Sequence, residues 1–151
     1  MSNYNEDDVL DVFKEYLENN GFLVLSISGK QQGLYRFSIG NYRKGPDIVA
    51  LKQNMLLVGE GKKQSGMLFN NDDRGISDYS GMQYFLNHKE SQQELLSFLP
   101  NSLKPNNNQY LINACVVGST AFSKHLSKMT DNRIKVFQVN MKEHRVLEIL
   151  Y

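Results

Sequence analysis

Val9, Leu10, Phe13, Tyr16 and Leu17 recur at a spacing that, at about 100° per residue, shares one arc of a helix. The spacing predicts a helix over Glu6 to Asn20, with Asn5 or Asn3 as N-cap and Gly21 where a C-terminal glycine belongs. The run FLVLSIS, Phe22 to Ser28, alternates and reads as a strand. Gly29 to Gly40 is polar and glycine-rich around LYRFSI, which predicts a hairpin or a mobile loop. Two apolar runs, Ile48 to Leu51 and Met55 to Glu60, are separated only by Lys52, Gln53 and Asn54, a spacing that suits a tight antiparallel hairpin. Gly66 to Ser77 reads as a surface loop. Met82, Phe85, Leu86, Leu95, Leu96 and Phe98 mark a second helical stretch from Asp78 to Leu99, ended by Pro100 and broken in two by its polar middle, NHKESQQE. After the linker NSLKPNNN come a strongly apolar strand, Tyr110 to Val117, and a short capped helix, Ser119 to Met129. Two last strands follow, Ile134 to Val139 and Arg145 to Leu150. The order α-β-β-β-α-β-α-β-β predicts an α/β (α+β) domain, a mixed sheet flanked by helices.

The length of 151 residues fits one domain, residues 1–151, with one core. With 17 Lys and Arg against 16 Asp and Glu, no global field draws the chain to nucleic acid, and any such role must come from local clustering. Cys115 has no second cysteine to pair with and lies among apolar neighbours, as expected of a buried strand residue in a reducing compartment. The longest charge-free stretch, Pro105 to Ser123, opens on asparagines and supplies no membrane span, and the acidic start MSNYNEDDVLDVF does not read as a signal peptide. A cytoplasmic protein with no membrane partner is expected.

Candidate chemistry concentrates in KGPDIVALKQNMLLVGEGKK, Lys44 to Lys63. Asp47 opens one strand of the expected hairpin, and Glu60 and Lys62 end the other, on one face because side chains alternate with a period of two. Two carboxylates and an ammonium then converge. Such carboxylates suit a hard, octahedral cation such as Mg²⁺, and a neighbouring lysine can orient or deprotonate water and offset charge developing on a phosphate. VGEGKK is not a phosphate loop of the Walker kind, since Leu56 stands five residues before Gly61 and Lys63 follows Lys62. His88, His125 and His144 show no zinc spacing.

Pro46-Asp47, twelve intervening residues and Glu60-Gly61-Lys62 resemble the motif of the PD-(D/E)XK nuclease superfamily, which includes restriction endonucleases, Holliday-junction resolvases and repair exonucleases. The resemblance covers roughly the first two thirds of the chain and implies a restriction endonuclease-like core: a helix, a three-stranded meander, a second helix and further strands. It implies Asp47 and Glu60 as metal ligands with the Gly61 carbonyl, Lys62 as catalytic lysine, Mg²⁺ (or Mn²⁺) as cofactor and DNA as substrate. Glu6, on the apolar arc of the first helix, and Gln83, in DYSGMQYFLNH, match supporting acidic and glutamine positions of some branches. The departure is Gly59 and Gly61, where the family more often carries apolar residues and where glycine weakens a strand.

Charge is segregated along the chain. Residues 1–20 hold six acids and one lysine, whereas residues 30–63 hold seven bases, Lys30, Arg36, Arg43, Lys44, Lys52, Lys62 and Lys63, with only Asp47 and Glu60 as acids. A basic rim around two carboxylates suits a polyanion cleft, with Arg36, Arg43, Lys44 and Lys63 as candidate DNA-binding residues. The expected activity is a Mg²⁺-dependent deoxyribonuclease, an endonuclease of restriction, resolvase or repair type. Cutting both strands of a duplex would call for a homodimer. The alternative is a catalytically inactive module of nuclease fold that binds DNA or a partner protein. An unrelated α+β interaction domain becomes preferable if Asp47 and Glu60 stand more than about 10 Å apart.

Overall fold

The computed structural model describes residues 3–27, 34–104 and 110–151. Ser28, the 29–33 part of the expected hairpin or loop with Lys30, and the 105–109 part of the linker lie outside the described residues.

Helix α1 (Glu6–Asn19) is set by its ends. Asn5 Oδ1 accepts the N–H of Asp8 at 3.0 Å and Asp8 Oδ2 accepts that of Asn5 at 2.9 Å, a reciprocal cap, and Glu6, Asp7 and Asp8 put negative charge where the helix dipole favours it. At the other end Gly21, at φ +85°, donates to Glu18 O and Phe22 to Leu17 O, the paired bonds by which a left-handed residue closes a helix. Val9, Leu10, Val12, Phe13 and Leu17 form the buried stripe.

Strands β1 (Leu23–Ile27), β4 (Ile48–Lys52), β5 (Met55–Gly61), β6 (Leu111–Gly118), β7 (Ile134–Asn140) and β8 (Arg145–Ile149) form one sheet in the order β1-β4-β5-β6-β7-β8. The pairs β5/β6 and β6/β7 are parallel and the others antiparallel. A mixed sheet flanked by helices, the expected class, is therefore present. The short strands β2 (Phe37–Ile39) and β3 (Tyr42–Lys44) pair with each other and, among the described residues, with no other strand. Alternation along β4 and β5 splits the core in two: Ile48, Ala50 and Leu57 pack with α1, and Val49, Leu51, Leu56 and Val58 pack on the opposite face.

That opposite face is covered by α2 (Asp78–Asn87), α3 (Lys89–Leu96) and the β2–β3 hairpin. The two helices part at His88, whose backbone is extended at φ −127°, ψ 106°, so the polar middle of the expected long helix does break it. The hairpin is fastened to these helices by Phe37 against Phe85 at 4.8 Å between ring centres and by Ser91 Oγ donating to Ser38 O at 2.7 Å. The sequence places a hairpin or mobile loop over Gly29 to Gly40; the hairpin falls later, over residues 37–44, and the sequence does not predict its place on the helices. A second difference is the helix expected over Ser119 to Met129. Only 3-10 turns form there, over Ser123–Lys128: Phe122 and Met129 are buried, but Leu126, which helical spacing would set on the same stripe, is left exposed. A further 3-10 stretch, Ser65–Phe69, begins the loop expected after β5. No helix among the described residues is long and apolar enough to cross a membrane.

Candidate active site

The β4–β5 register pairs Ile48 with Gly59; continued by one residue it sets Asp47 against Glu60. Both have the parity of Val49 and Val58, so their side chains lie on the sheet face that α2 covers. Glu60 is 3% exposed and Asp47 is half-buried. Asp47 Oδ2 accepts the backbone N–H of Gly61 at 3.0 Å. Glu60 Oε2 lies 3.5 Å from Lys44 Nζ, while Oε1 is buried with no hydrogen-bond partner among the described residues.

Asp78 completes the cluster and was not singled out from sequence. It is the first residue of α2, after a cap in which Ser77 and Ser80 exchange side-chain to backbone bonds, and it is 9% exposed. Lys44 Nζ donates to its Oδ1 at 2.9 Å, and Lys62 Nζ lies 3.8 Å from Oδ2. Glu6, in the first turn of α1, reaches Lys62 at 3.7 Å, so the acid expected on that helix does join the site. Asp78 follows Lys62 by sixteen residues across a loop, and only the path of that loop brings it back. Its one sequence signal, an acid behind a capping serine, also reads as ordinary helix capping.

The electrostatics follow from burial. Asp47 is pushed up to about 6, first by burial and then by Glu6 and Asp78, against the lowering effect of the Gly61 N–H. Glu60 is pushed well up, again by burial and then by Asp47. Burial works against the Lys44 ammonium, but Glu60 and Asp78 outweigh it and the group is held protonated. Four carboxylates, Glu6, Asp47, Glu60 and Asp78, thus face two ammonium groups, Lys44 and Lys62, in a site short of positive charge.

No family model matches the chain, and no curated protein matches it. Among solved structures, the crystal structure of an XisH family protein from Nostoc punctiforme is similar, at 14% sequence identity over 95% of this chain and 100% of that one, with a TM-score of 0.47. So remote a similarity assigns a role to no residue.

The glycines beside Glu60 have a packing cause. A Cβ on Gly59 would stand 2.8 Å from the Cys115 carbonyl oxygen, and one on Gly61 would stand 2.7 Å from Leu10 Cδ2, both closer than such atoms pack. The departure from an apolar flank is therefore what lets β6 and α1 close on β5 behind the carboxylates. Cys115 is fully buried there, as expected.

Other expected site residues lie elsewhere. Gln83, five residues beyond Asp78 and so about 140° round the helix, lies beside Asp131 rather than in the cluster. Arg43 forks onto Glu94, its Nε donating to Oε2 at 2.9 Å, and so fastens the hairpin to α3. Lys44, expected to hold phosphate, is turned inward, because Phe37 and Ile39 anchor the hairpin and β3 runs back toward Asp78. Arg36 is half-buried at the head of β2, and no ion pair among the described residues joins it to the cluster. Lys63 remains at the rim, its Nζ 5.0 Å from the centre of the Tyr4 ring. Two cations missed by the sequence reading, Lys124 and Lys128, are exposed on the 3-10 turns after β6. The stretch leading into those turns is tied to the segment after Lys63 by Ser65 N–H donating to Thr120 Oγ1 at 2.8 Å.

A divalent cation fits the donors present. Asp47 and Glu60 share a face, and an orphaned buried carboxylate oxygen is costly unless something binds it. No group of three or more His, Cys, Asp and Glu suited to a metal occurs among the described residues. A cation here would rest on two carboxylates, a backbone carbonyl and water, the sparse protein ligation that Mg²⁺ tolerates.

Proposed function

We propose that this chain is a metal-dependent nuclease that hydrolyses DNA phosphodiester bonds as an endonuclease. The observation that carries the reading is the unpartnered Glu60 Oε1, buried beside Asp47 and backed by Lys62. The motif resembles that of the PD-(D/E)XK superfamily, and the order in which α1, β1, β4, β5, α2 and β6 follow one another supports the same reading.

Asp47, Glu60 and the Gly61 carbonyl would hold Mg²⁺, with Mn²⁺ able to replace it. When bound, such a cation polarises a phosphoryl oxygen and makes water more acidic. The remaining work belongs to the chain. Glu6 and Asp78 flank the Lys62 ammonium from two helices and hold it at the end of β5, where it orients the attacking water and meets the negative charge growing on the phosphoryl group. Burial of Glu60 and Asp78 keeps that charge pattern in a low-dielectric setting, where it acts more strongly than in water. The exposed Lys63, Lys124 and Lys128 would supply the phosphate-binding rim that Arg43 and Lys44 do not.

The test is incubation of wild-type and Lys62→Ala protein with supercoiled, linear and single-stranded DNA in Mg²⁺, in Mn²⁺ and in EDTA. Metal-dependent cutting by wild type alone is expected. Salt-sensitive binding without cutting would favour instead a nuclease-like module that only grips DNA.

A further inference from the structure

A half-buried lysine inside a candidate metal site needs an account that nuclease chemistry does not supply. Lys44 stands on β3, a three-residue strand paired with β2, and its side chain is 21% exposed. Its Nζ makes two unequal contacts, 2.9 Å to Asp78 Oδ1 and 3.5 Å to Glu60 Oε2. The near partner belongs to a helix N-terminus and the far one to the strand that carries the expected metal ligands.

We propose that Lys44 is a built-in counter-cation: in the metal-free protein it occupies the place beside Glu60 that a divalent cation takes, and it yields that place while remaining anchored on Asp78. The inference rests on the nuclease reading of Asp47 and Glu60 and adds to it what sets their affinity for metal. The geometry supports a one-sided release. Leaving Glu60 breaks the longer contact and keeps the shorter one, so the ammonium is not stranded in a buried setting. Without Lys44, the buried Glu60 would face Asp47 and Asp78 and lose the ammonium that lies against it. A fixed positive charge next to the metal position also repels the incoming ion, so Lys44 gives stability to the metal-stripped protein at the expense of metal affinity.

The test is calorimetric titration of Mn²⁺ into the metal-stripped full chain without nucleic acid, for wild type, Lys44→Met and Lys44→Arg, with thermal unfolding in EDTA alongside. Lys44→Met is expected to bind Mn²⁺ at least about tenfold more tightly, to unfold at a lower temperature in EDTA, and to recover when Mn²⁺ is added. Lys44→Arg keeps the charge and the wild-type affinity. Equal or weaker binding by Lys44→Met overturns the inference and leaves the metal reading standing. Absence of binding by both wild type and Lys44→Met overturns both. Should Lys44→Met fail to fold, the Lys44 ammonium resonance of the wild type, assigned with Lys44→Arg, decides: it must shift when Mg²⁺ is added, and a resonance that stays put overturns the inference.

Discussion

The Asp47 carboxylate accepts the N–H of Gly61 at 3.0 Å, so the residue that follows Glu60 on β5 positions the side chain that faces Glu60 across the hairpin. Asparagine can keep accepting that N–H through its amide oxygen, whereas alanine leaves the donor unpaired at about 1–3 kcal/mol. Asp47→Asn is therefore expected to fold at least as stably as wild type above pH 6, and Asp47→Ala to lose stability in urea unfolding. Both should lose Mg²⁺-dependent cleavage by about a hundredfold or more. Full cleavage by Asp47→Asn would remove Asp47 from the metal site.

The raised Asp47 carboxyl, at about 6, has a consequence for stability with a definite sign. Between about pH 4 and 6 the folded state holds a proton that the unfolded chain has released, so in EDTA stability falls as pH rises through this window. A shift of about two units corresponds to a loss on the order of 3 kcal/mol. Mg²⁺ favours the ionised form and should flatten the slope, and Asp47→Asn should abolish its share. Unfolding free energies from pH 4 to 7.5, with EDTA and with Mg²⁺, measure both. A wild-type slope matched by Asp47→Asn would show that the carboxyl titrates normally.

What the sequence made legible follows the range of its periodicities. Asp47, Glu60 and Lys62 share a face because strand alternation acts over neighbouring residues, and Glu6 followed from the arc of α1. Asp78 and the inward turn of Lys44 depend on the path of a loop and on where a three-residue strand docks, which no local pattern encodes. Gln83 sat on the right helix at the wrong angle, and the helical spacing of Phe122, Leu126 and Met129 gave 3-10 turns in which Leu126 stays exposed.

Gly61 lies against Leu10 so closely that even a methyl group must displace α1, the helix that brings Glu6 to Lys62. Gly61→Ala should cost about 1–3 kcal/mol. Trimming the neighbour should return part of it, so Gly61→Ala with Leu10→Ala is expected to be less destabilised than the sum of the two single changes. Urea unfolding of the four proteins closes the cycle, and strict additivity would mean that the two residues do not press on one another.

The rim and the interior cations should separate in their response to salt. Lys63, Lys124 and Lys128 are exposed, whereas Arg43 is engaged by Glu94 and serves the attachment of the β2–β3 hairpin. Each lysine that neutralises a duplex phosphate contributes about −0.9 to the slope of log affinity against log salt concentration. Lys124→Ser with Lys128→Ser is thus expected to reduce the magnitude of that slope by about 2 in EDTA, where binding is measured without cutting. Arg43→Ala should leave the slope unchanged and lower thermal stability, because what it loses is the fork onto Glu94. Fluorescence anisotropy of a labelled duplex between about 50 and 200 mM salt reads the slopes. A slope that responds to Arg43→Ala and not to the two lysines would move the nucleic-acid face from the strand ends to the hairpin.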